Sequence, residues 1–209
     1  MNIIEKLQWR YATKKFDTNA YISQEKLNTI KHAFNLTATS YGLQPVKLVI
    51  IKDKDLQSRL VEHSMNQQQV SQASHVLIFC IETTIDTDYI EAYFSRIKGI
   101  RNTPDEVLKP FKDFLIEDFK DKSKQSIKEW AIKQVYLAMG NLLTVCALES
   151  IDACPMEGFL SKKYDEILEL PEKGMQSVLI MPIGYRATDD MFADFKKVRK
   201  DISESVLEL

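Results

Sequence analysis

Two basic clusters at opposite ends of the chain have the residue types that bind phosphate. The first contains Arg10, Lys14 and Lys15, and the second is the run KKVRK at residues 196–200. Guanidinium and ammonium groups form strong, charge-assisted hydrogen bonds with phosphate oxygens. Runs of charge also commonly just face water. The spacing alone therefore leaves two alternatives, a shared phosphate site or two solvated surface segments.

A turn and a loop are the other candidates for chemistry. In the segment Pro155-Met156-Glu157-Gly158, the glycine could let the backbone approach a planar ligand closely, or it could serve a tight connection with positive φ. Residues 37–45, TATSYGLQP, form a hydroxyl-rich loop of the kind that carries function or simply joins two elements. No glycine-rich dinucleotide or P-loop motif and no serine-hydrolase motif occurs in the sequence.

Composition argues against several other classes of protein. With 28 Lys and Arg against 30 Asp and Glu, the net charge of −2 makes nucleic acid an unlikely partner. The longest apolar run, residues 142–148, is too short to cross a membrane, and the N-terminus lacks a signal-peptide pattern, so we expect a cytoplasmic protein. The histidines lack metal-ligand spacing, which predicts no metal. Reduced core thiols are expected at Cys80, Cys146 and Cys154.

The elements that must position these residues follow from hydrophobic periodicity and capping signals. Periodicity predicts helices at residues 2–10, around 56–61 and near 164–168. N-caps at Ser23 and Asp86 predict helices that end near Asn35 and at Arg101. Capping boxes at Thr103 and Ser126 predict two more helices, the second of which ends at about 150. The patterns predict strands at residues 46–51, 76–81 and 178–183, with a short extended piece at 153–156.

These elements predict an α+β fold with a small sheet under several helices, in one domain over residues 1–209. The strand at 76–81 should be buried on both faces, and the helix that ends near 150 should lie inside the core because it is apolar on nearly every side after Val135. The final 25 residues are expected to form an extended arm. Its apolar residues, among them Phe192, Phe195 and Val198, could wrap a partner subunit.

In chain order these segments resemble the nitroreductase family. The likeness rests on Arg10-x-x-x-Lys14-x-Phe16-Asp17, Ser40 ahead of Gln44-Pro45, A-S-H-V at residues 73–76, Gln134-Val135-Tyr136, Pro155-x-Glu157-Gly158 and Lys197-x-Arg199. It spans the chain and is greatest to oxygen-insensitive NAD(P)H nitroreductases and dihydropteridine reductases, which are FMN-containing homodimers. The resemblance implies a small mixed sheet surrounded by helices, an extended C-terminal arm, an intertwined dimer, and FMN bound at the dimer interface.

The resemblance also implies a role for individual residues. Arg10, Lys197 and Arg199 would bind the FMN phosphate, and Tyr11 and Ala12 would line the same end of the site. Lys14 would lie at the pyrimidine edge of the flavin, where a fixed positive charge stabilises the anionic reduced form. That placement makes Lys14 the catalytic residue.

The rest of the flavin would be held by three other segments. Asn66 would hydrogen-bond the ring, and the segment Pro155, Met156, Glu157 and Gly158 would offer backbone amides beside it. Thr39 and Ser40, with Gly42 in the same loop, would come from the other chain. The sequence departs from the family where Ala12 replaces a common serine, Gly42 a common asparagine and Val46 a common aromatic residue.

The implied function is an FMN-dependent NAD(P)H oxidoreductase that reduces nitroaromatics, quinones or similar electrophiles by two-electron, ping-pong transfer. Alternatives are dihydropteridine reduction or another flavin reaction on the same fold, a flavin-binding module without turnover, and a flavin-free structural dimer. Residues 109–119 align loosely with a mobile substrate-capping helix of the family. From their spacing we instead expect Phe111, Phe114 and Phe119 to be buried against the core.

Overall fold

A four-stranded antiparallel sheet forms the centre of the computed structural model, which describes residues 2–209. Its strands are β1 (Val46–Ile51), β2 (His75–Glu82), β3 (Asp152–Ala153) and β4 (Met175–Gly184), in the order β1-β2-β4-β3. Val46 lies opposite Ile81 in the β1–β2 pair, and Leu77 lies opposite Met181 in the β2–β4 pair. The three long strands lie at the predicted positions, and β1 has the predicted bounds.

The N-terminal segment is attached at the β3 end of this sheet. Ala12 pairs in parallel with Ala153, and Phe16 pairs antiparallel with Arg186. The parallel pairing of the expected mixed sheet is therefore confined to this single bridge. These two bridges fix residues 12–16, with Lys14 between them, along the edge of the sheet.

The helices confirm the α+β class. They are α1 (Ile3–Trp9), α2 (Gln24–Asn35), α3 (Lys54–Leu60), α4 (Gln69–Gln72), α5 (Thr87–Arg101), α6 (Asp105–Asp121), α7 (Lys124–Leu148), α8 (Ser161–Ile167) and α9 (Ile202–Ser205). Two of the predicted caps are confirmed, because the Ser23 side chain accepts a hydrogen bond from Lys26 N and that of Asp86 from Tyr89 N.

The other two predicted capping boxes are wrong. Helix α6 begins after Pro104, which has an extended ψ of 148° and is itself the N-cap, so Thr103 does not cap the helix. Helix α7 begins one turn earlier than predicted, because the Ser123 hydroxyl accepts the hydrogen bond of Ser126 N. Ser123 and Ser126 are both of a residue type that commonly caps helices, and the earlier serine caps α7.

Both faces of the sheet are covered. Along β2, the side chains from His75 to Ile81 are all buried, as predicted. Leu77 and Phe79 pack with α2, α5 and α7 on one face, whereas Ile78 and Cys80 pack with α3 and α8 on the other. All three cysteines are buried free thiols, which confirms that prediction. Burial raises the pKa of the Cys80 thiol to about 12.

Helix α7 is only partly buried, although its length and hydropathy would suit a membrane-spanning helix. Eight of its residues are buried against the sheet and α2, which accounts for its apolar composition. The prediction of burial on nearly every side is wrong, because one stripe of the helix is exposed to solvent. Part of this stripe is formed by Lys133, Tyr136, Leu137 and Gly140.

The C-terminal arm is less regular than an extended strand. A short 3-10 turn at Met191–Asp194 lies near its start, and α9 interrupts it further on. Helix α9 forms because Asp201 and Glu204 make a reciprocal capping box, a local signal that outweighs the weak periodicity of the arm. The arm's apolar side chains are exposed, with Val198 at 86% and Leu207 at 82%.

His75 is a buried base held in its neutral form. The Oγ of Ser74 accepts the N–H of Ile22 at 2.9 Å, so its own proton is free to be donated to His75 Nδ1, also at 2.9 Å. Burial, and then the positive charges of Lys52, Lys54 and Lys31, lower the pKa of His75 to about 4.

Acidification should therefore destabilise the protein through His75. In the unfolded chain this side chain takes up a proton near pH 6.5, but in the folded chain only near pH 4, so stability is complete above pH 6.5 and is lost as the pH falls. Between pH 7 and 5 the loss should approach about 2 kcal/mol of unfolding free energy. Urea denaturation at both pH values should show a smaller loss in His75→Asn than in the unmodified protein. The exposed His32→Asn serves as control, and equal losses in all three proteins would contradict this assignment.

Candidate functional site

The buried carboxylate of Asp190 ties the N-terminal loop to the start of the C-terminal arm. Its Oδ2 accepts hydrogen bonds from Tyr11 Oη at 2.8 Å, Lys14 N at 2.9 Å and Lys15 N at 3.1 Å. Its Oδ1 accepts the N–H of Phe192 at 3.1 Å. Burial raises the pKa of this carboxyl, but the hydrogen bonds outweigh burial and the net pKa is lowered.

A second carboxylate, Asp152 on β3, orients Arg186. Arg186 donates its backbone N–H to Asp152 Oδ2 at 2.9 Å and its Nε–H to Oδ1 at 2.8 Å. The guanidinium lies 4.3 Å from the ring centre of Trp9 and 4.6 Å from that of Tyr11. The positive charge of Arg186 is thus paired, and the guanidinium supports the aromatic residues on either side of Arg10.

Three further cations meet where the two chain ends come together. Lys197 Nζ donates a hydrogen bond to the carbonyl oxygen of Arg10. The pKa of Arg10 is lowered by burial and by the charge of Arg199. The pKa of Lys197 is lowered by burial and by the charges of Arg10, Arg199 and Arg186.

This cation cluster of Arg10, Lys197 and Arg199 has no paired counter-charge among residues 2–209. No carboxylate among residues 2–209 lies within 4.0 Å of any of the three. Mutual repulsion lowers the affinity of the group for protons and raises its affinity for an anion. A dianion such as a phosphate monoester would satisfy these side chains.

Lys14 lies near Cys154, a residue of the segment that directly follows β3. Its positive charge lowers the pKa of the Cys154 thiol, although burial is the larger effect and raises the net pKa. Gln69 Nε2 lies 3.9 Å from Cys154 Sγ and 3.2 Å from Gln67 Oε1. Lys14 is thereby close to residues of the 65–69 segment.

The turn at Gly158 packs against the loop that carries Asn66. Leu160 N donates to His63 O at 2.8 Å. A Cβ on Gly158 would lie 3.2 Å from Met65 Sδ, so the glycine permits a close approach between the two segments. Gly158 does not have positive φ, and the explanation by a positive-φ connection is wrong. Asn66 instead has the left-handed conformation, with φ of 56°.

The rest of the 155–158 segment is held by the sheet and by α7. Met156 forms a bridge with Ile180 of β4. Glu157 Oε1 accepts a hydrogen bond from Tyr136 Oη at 2.8 Å, and this bond raises the pKa of Tyr136. Contacts through Cys154, Gln69 and Gln67 thus link the segments that carry Lys14 and Gly158. Asp190 links Lys14 to Tyr11, the neighbour of Arg10 in the cation cluster.

The loop with Thr39, Ser40 and Gly42 lies elsewhere in the chain. Ser40 N donates to Gln134 Oε1 of α7 at 2.8 Å. Gly42 has φ of 72°, and a Cβ there would lie 2.6 Å from Tyr93 Oη of α5, so the fold requires glycine. No hydrogen bond or salt bridge joins this loop to Lys14 or to the cation cluster within the part of the chain that the structure describes.

Helix α6 does not bury its phenylalanines as expected. Phe119 is 5% exposed, but Phe111 is 44% and Phe114 is 55% exposed. The expectation is wrong for these two because α6 packs chiefly on α5 and leaves its other side in solvent. Phe111 and Phe119 both face the ring of Tyr41, with centroids 6.4 and 6.3 Å away.

Sequence reasoning missed the two carboxylates that organise the site. Asp190 and Asp152 act on partners far away in sequence, and neither belongs to a short motif. The pair Asp189-Asp190 just ahead of the basic run was the available signal, and the polar residue Asp152 inside an apolar segment was the other. Within residues 2–209, no cluster of three His, Cys, Asp or Glu side chains could hold a metal ion.

Comparison with known proteins identifies the fold and the family. The model of the nitroreductase family matches residues 7–185, which is most of the chain. The chain belongs to the nitroreductase family. The family named from the sequence motifs is thereby confirmed, and this nitroreductase is an oxidoreductase.

Relatives match along nearly all of the nitroreductase. A Staphylococcus epidermidis protein designated NAD(P)H nitroreductase is 34% identical over 208 residues, with 96% of this chain and 94% of its own length covered. The oxygen-insensitive NAD(P)H nitroreductase of Salmonella typhimurium is 29% identical over 219 residues and the full length of both chains. A nitroreductase from Exiguobacterium sibiricum, solved in complex with FMN, has a TM-score of 0.84 at 20% identity, covering 100% of this chain and 98% of its own.

Replacing Asp190 with asparagine should loosen the N-terminal loop of the nitroreductase from the arm. The amide NH₂ cannot accept the hydrogen bonds of Lys14 N and Lys15 N, and a lost hydrogen bond to a charged group costs about 1.5–3 kcal/mol of unfolding free energy. Urea denaturation measures the loss, and limited trypsinolysis should cut the arm faster near Lys196. Asp189→Asn, at an exposed neighbour that pairs with Lys15, is the matched control and should leave the unfolding midpoint unchanged. An unaltered midpoint in Asp190→Asn would show that Asp190 does not hold the loop.

Proposed function

We propose that this nitroreductase is an FMN-dependent NAD(P)H oxidoreductase that reduces nitroaromatics, quinones or similar electrophiles by two electrons. The observation that carries the proposal is the cation cluster of Arg10, Lys197 and Arg199, which has no carboxylate within 4.0 Å among residues 2–209. The relatives' designation as NAD(P)H nitroreductases and the FMN complex of the Exiguobacterium protein support it. The buried free thiols suit the reducing cytoplasm, where we place the protein.

The residues present fit FMN at its phosphate end. Two guanidinium groups and an ammonium group can hold a phosphate dianion, and that anion would remove the repulsion that lowers the pKa of Arg10 and Lys197. Tyr11 is fixed by Asp190, and Ala12 by its bridge to Ala153. The backbone of both residues is thereby ordered before the phosphate binds, which reduces the entropy cost of binding.

The residues also fit the flavin ring. The absence of a Cβ on Gly158 keeps the turn close to Met65 and Gln67, so the backbone of Pro155 to Gly158 can lie beside a planar group. Asn66 is carried by a loop held against this turn through Leu160 N and His63 O. Lys14 provides a positive charge near the Cys154 thiol, which Gln69 also contacts.

When bound, FMN would supply the hydride chemistry that no side chain of this site provides. Lys14 would stabilise the negative charge that arises at the pyrimidine edge, as a preorganised electrostatic group. Arg10, Lys197 and Arg199 would bind the phosphate of FMN and thereby orient the cofactor. The electron donor and the electron acceptor would occupy one shared site in turn, and we therefore expect ping-pong kinetics.

We further propose that the functional unit is a homodimer. Thr39, Ser40 and Gly42 would contribute to the site of the partner chain, since within residues 2–209 no hydrogen bond or salt bridge joins them to Lys14 or to the cation cluster. The exposed stripe of α7, with Tyr136 and Leu137, and the exposed apolar arm provide surface that a second copy would bury.

Flavin content and reduction by NADH or NADPH test the proposed activity. The purified protein should carry about one FMN per chain, and anaerobic stopped-flow mixing with one of the two donors should bleach the flavin absorption within seconds. Adding a nitroaromatic or quinone should then restore it. Stoichiometric FMN that neither donor reduces would support a binding module without turnover, and protein that neither carries nor takes up FMN would leave a flavin-free structural dimer.

Two substitutions should separate binding from reduction. Arg199→Ala should weaken FMN binding by about 1.5–3 kcal/mol, the value of a charge-assisted hydrogen bond. Lys14→Ala should retain most FMN, slow its reduction and lower its potential, because the lost charge acts mainly on the reduced ring. Fluorescence titration and spectroelectrochemistry measure these effects. Lys200→Ala is the control within the same basic run, and a Lys14→Ala protein with unchanged potential would remove Lys14 from the catalytic role.

Flavin binding and dimerisation should be one linked equilibrium. If Thr39 and Ser40 complete the partner's site, FMN stabilises the dimer by mass action, by about 2.7 kcal/mol at a free concentration 100 times its dissociation constant. Sedimentation of apo and FMN-loaded protein over a dilution series should show a looser apo dimer. A monomer that keeps FMN at full affinity would reject the shared site.

A further inference from the structure

A second cavity lies apart from the proposed flavin site. It has a volume of about 460 Å³ and opens between the end of β2, the C-terminal half of α6 and the first turns of α7. None of its lining residues belongs to the cation cluster or to the segments around Gly158. The volume is within the range of small-molecule sites. Its apolar wall is formed by Ile81, Ile85, Ile116, Phe119 and Ile127.

The mouth of this cavity has an excess of positive charge. Lys124 and Lys128, one turn apart on α7, have no carboxylate within 4.0 Å among residues 2–209. Lys120 contacts Glu117 at 3.4 Å, but both side chains are more than half exposed, so the pair is weak. The three ammonium groups therefore remain available to an anion.

The two carboxylates that line the cavity already have partners. Glu82 forms a salt bridge with Lys47 at 3.1 Å. Asp86 caps α5 and accepts the N–H of Tyr89 at 3.0 Å. Within residues 2–209, neither carboxylate lies within 4.0 Å of Lys120, Lys124 or Lys128.

Uncommitted polar groups complete the wall between the lysines and the apolar side chains. The side chains of Thr83, Thr84 and Gln176 line the cavity, and none of them forms a hydrogen bond within residues 2–209. These side chains can form hydrogen bonds with the polar head group of a ligand whose apolar part contacts the isoleucines. The lining is thus apolar on one side and cationic at the mouth, with free donors between.

We propose that this cavity binds an amphipathic carboxylate, a linear alkyl chain with one terminal carboxyl group. The chain would cover Ile81, Ile85, Ile116, Phe119 and Ile127, and the carboxylate would lie among Lys120, Lys124 and Lys128. An inorganic anion would leave the apolar wall in contact with water, and a neutral alkane would leave the lysines unpaired. Only a ligand with both parts satisfies both halves of the lining.

The ligand would contact the aromatic cluster that supports the 39–42 loop. Phe119 packs edge-on against Trp130, with centroids 5.2 Å apart, and lies 6.3 Å from Tyr41. Binding under Phe119 should therefore change the fluorescence of Trp130. This gives an optical signal that depends neither on flavin nor on turnover.

Isothermal titration of the FMN-loaded protein with decanoate, below its micelle concentration, tests the site. We expect saturable binding of one decanoate per chain. The double variant Lys124→Gln/Lys128→Gln should bind at least tenfold more weakly, and 1-decanol should bind the unmodified protein at least tenfold more weakly than decanoate. Lys162→Gln/Lys163→Gln, two exposed lysines on α8, is the matched control and should bind like the unmodified protein.

Several results would overturn the proposal. These are the absence of saturable binding, equal affinity of decanoate and 1-decanol, or unchanged affinity in Lys124→Gln/Lys128→Gln. Displacement of decanoate by a nitroaromatic electron acceptor would place it in the flavin site instead. If circular dichroism shows that the double variant does not fold, two other measurements decide the question. One is the comparison of decanoate with 1-decanol, and the other is a decanoate titration of the Trp9→Phe protein followed by the fluorescence of Trp130.

Discussion

The site depends on an electrostatic imbalance that the fold holds in place. Asp190 anchors Tyr11, Lys14, Lys15 and Phe192 to one buried carboxylate, which brings the two ends of the chain together. That carboxylate is occupied by these donors, and Asp152 is occupied by Arg186, so neither neutralises the cation cluster. A protein that gathers like charges without pairing them lowers its own stability, and binding an anion offsets that cost.

The sheet fixes the backbone of the segments that are proposed to bind the flavin ring. Ala12 and Phe16 pair at the β3 end of the sheet, and Met156 pairs with β4, so Lys14 and the 155–158 turn are both fixed by backbone hydrogen bonds. The loop of Ser40 is fixed instead by α7, on a different part of the chain. If both parts belong to the proposed FMN site, a homodimer would complete it by supplying each part to the other chain.

Local signals predicted most of the fold, and the failures occurred where two signals competed. Strand β1 and the caps at Ser23 and Asp86 were predicted correctly, because each has a short sequence pattern that favours only one local structure. At Ser123 and Ser126, two serines offered the same cap, and at Thr103 the following proline took the position. The exposure of Phe111 and the partial exposure of α7 depend on which neighbours pack against them, and a single sequence does not contain that information.

For the candidate site, the sequence predicted some residues only through resemblance to the family and missed others. The positions of Arg10, Lys14, Lys197 and Arg199 came from resemblance to the family, because their spacing alone did not distinguish a phosphate site from two solvated segments. Asp190 was missed because its hydrogen-bond partners lie about 175 positions away, and contacts at such a distance produce no local or periodic sequence pattern. The cation cluster could be recognised only after the fold showed that no carboxylate accompanies it.

Comparing the affinities of the apo protein for FMN and for riboflavin tests the central claim most directly. The two ligands share the flavin ring and ribityl chain and differ only in the phosphate. If Arg10, Lys197 and Arg199 form the phosphate site, FMN should bind more tightly by at least about 100-fold, since charge-assisted hydrogen bonds contribute about 1.5–3 kcal/mol each. The difference should shrink as ionic strength rises. Equal affinities for the two flavins, at low and high salt, would contradict the account.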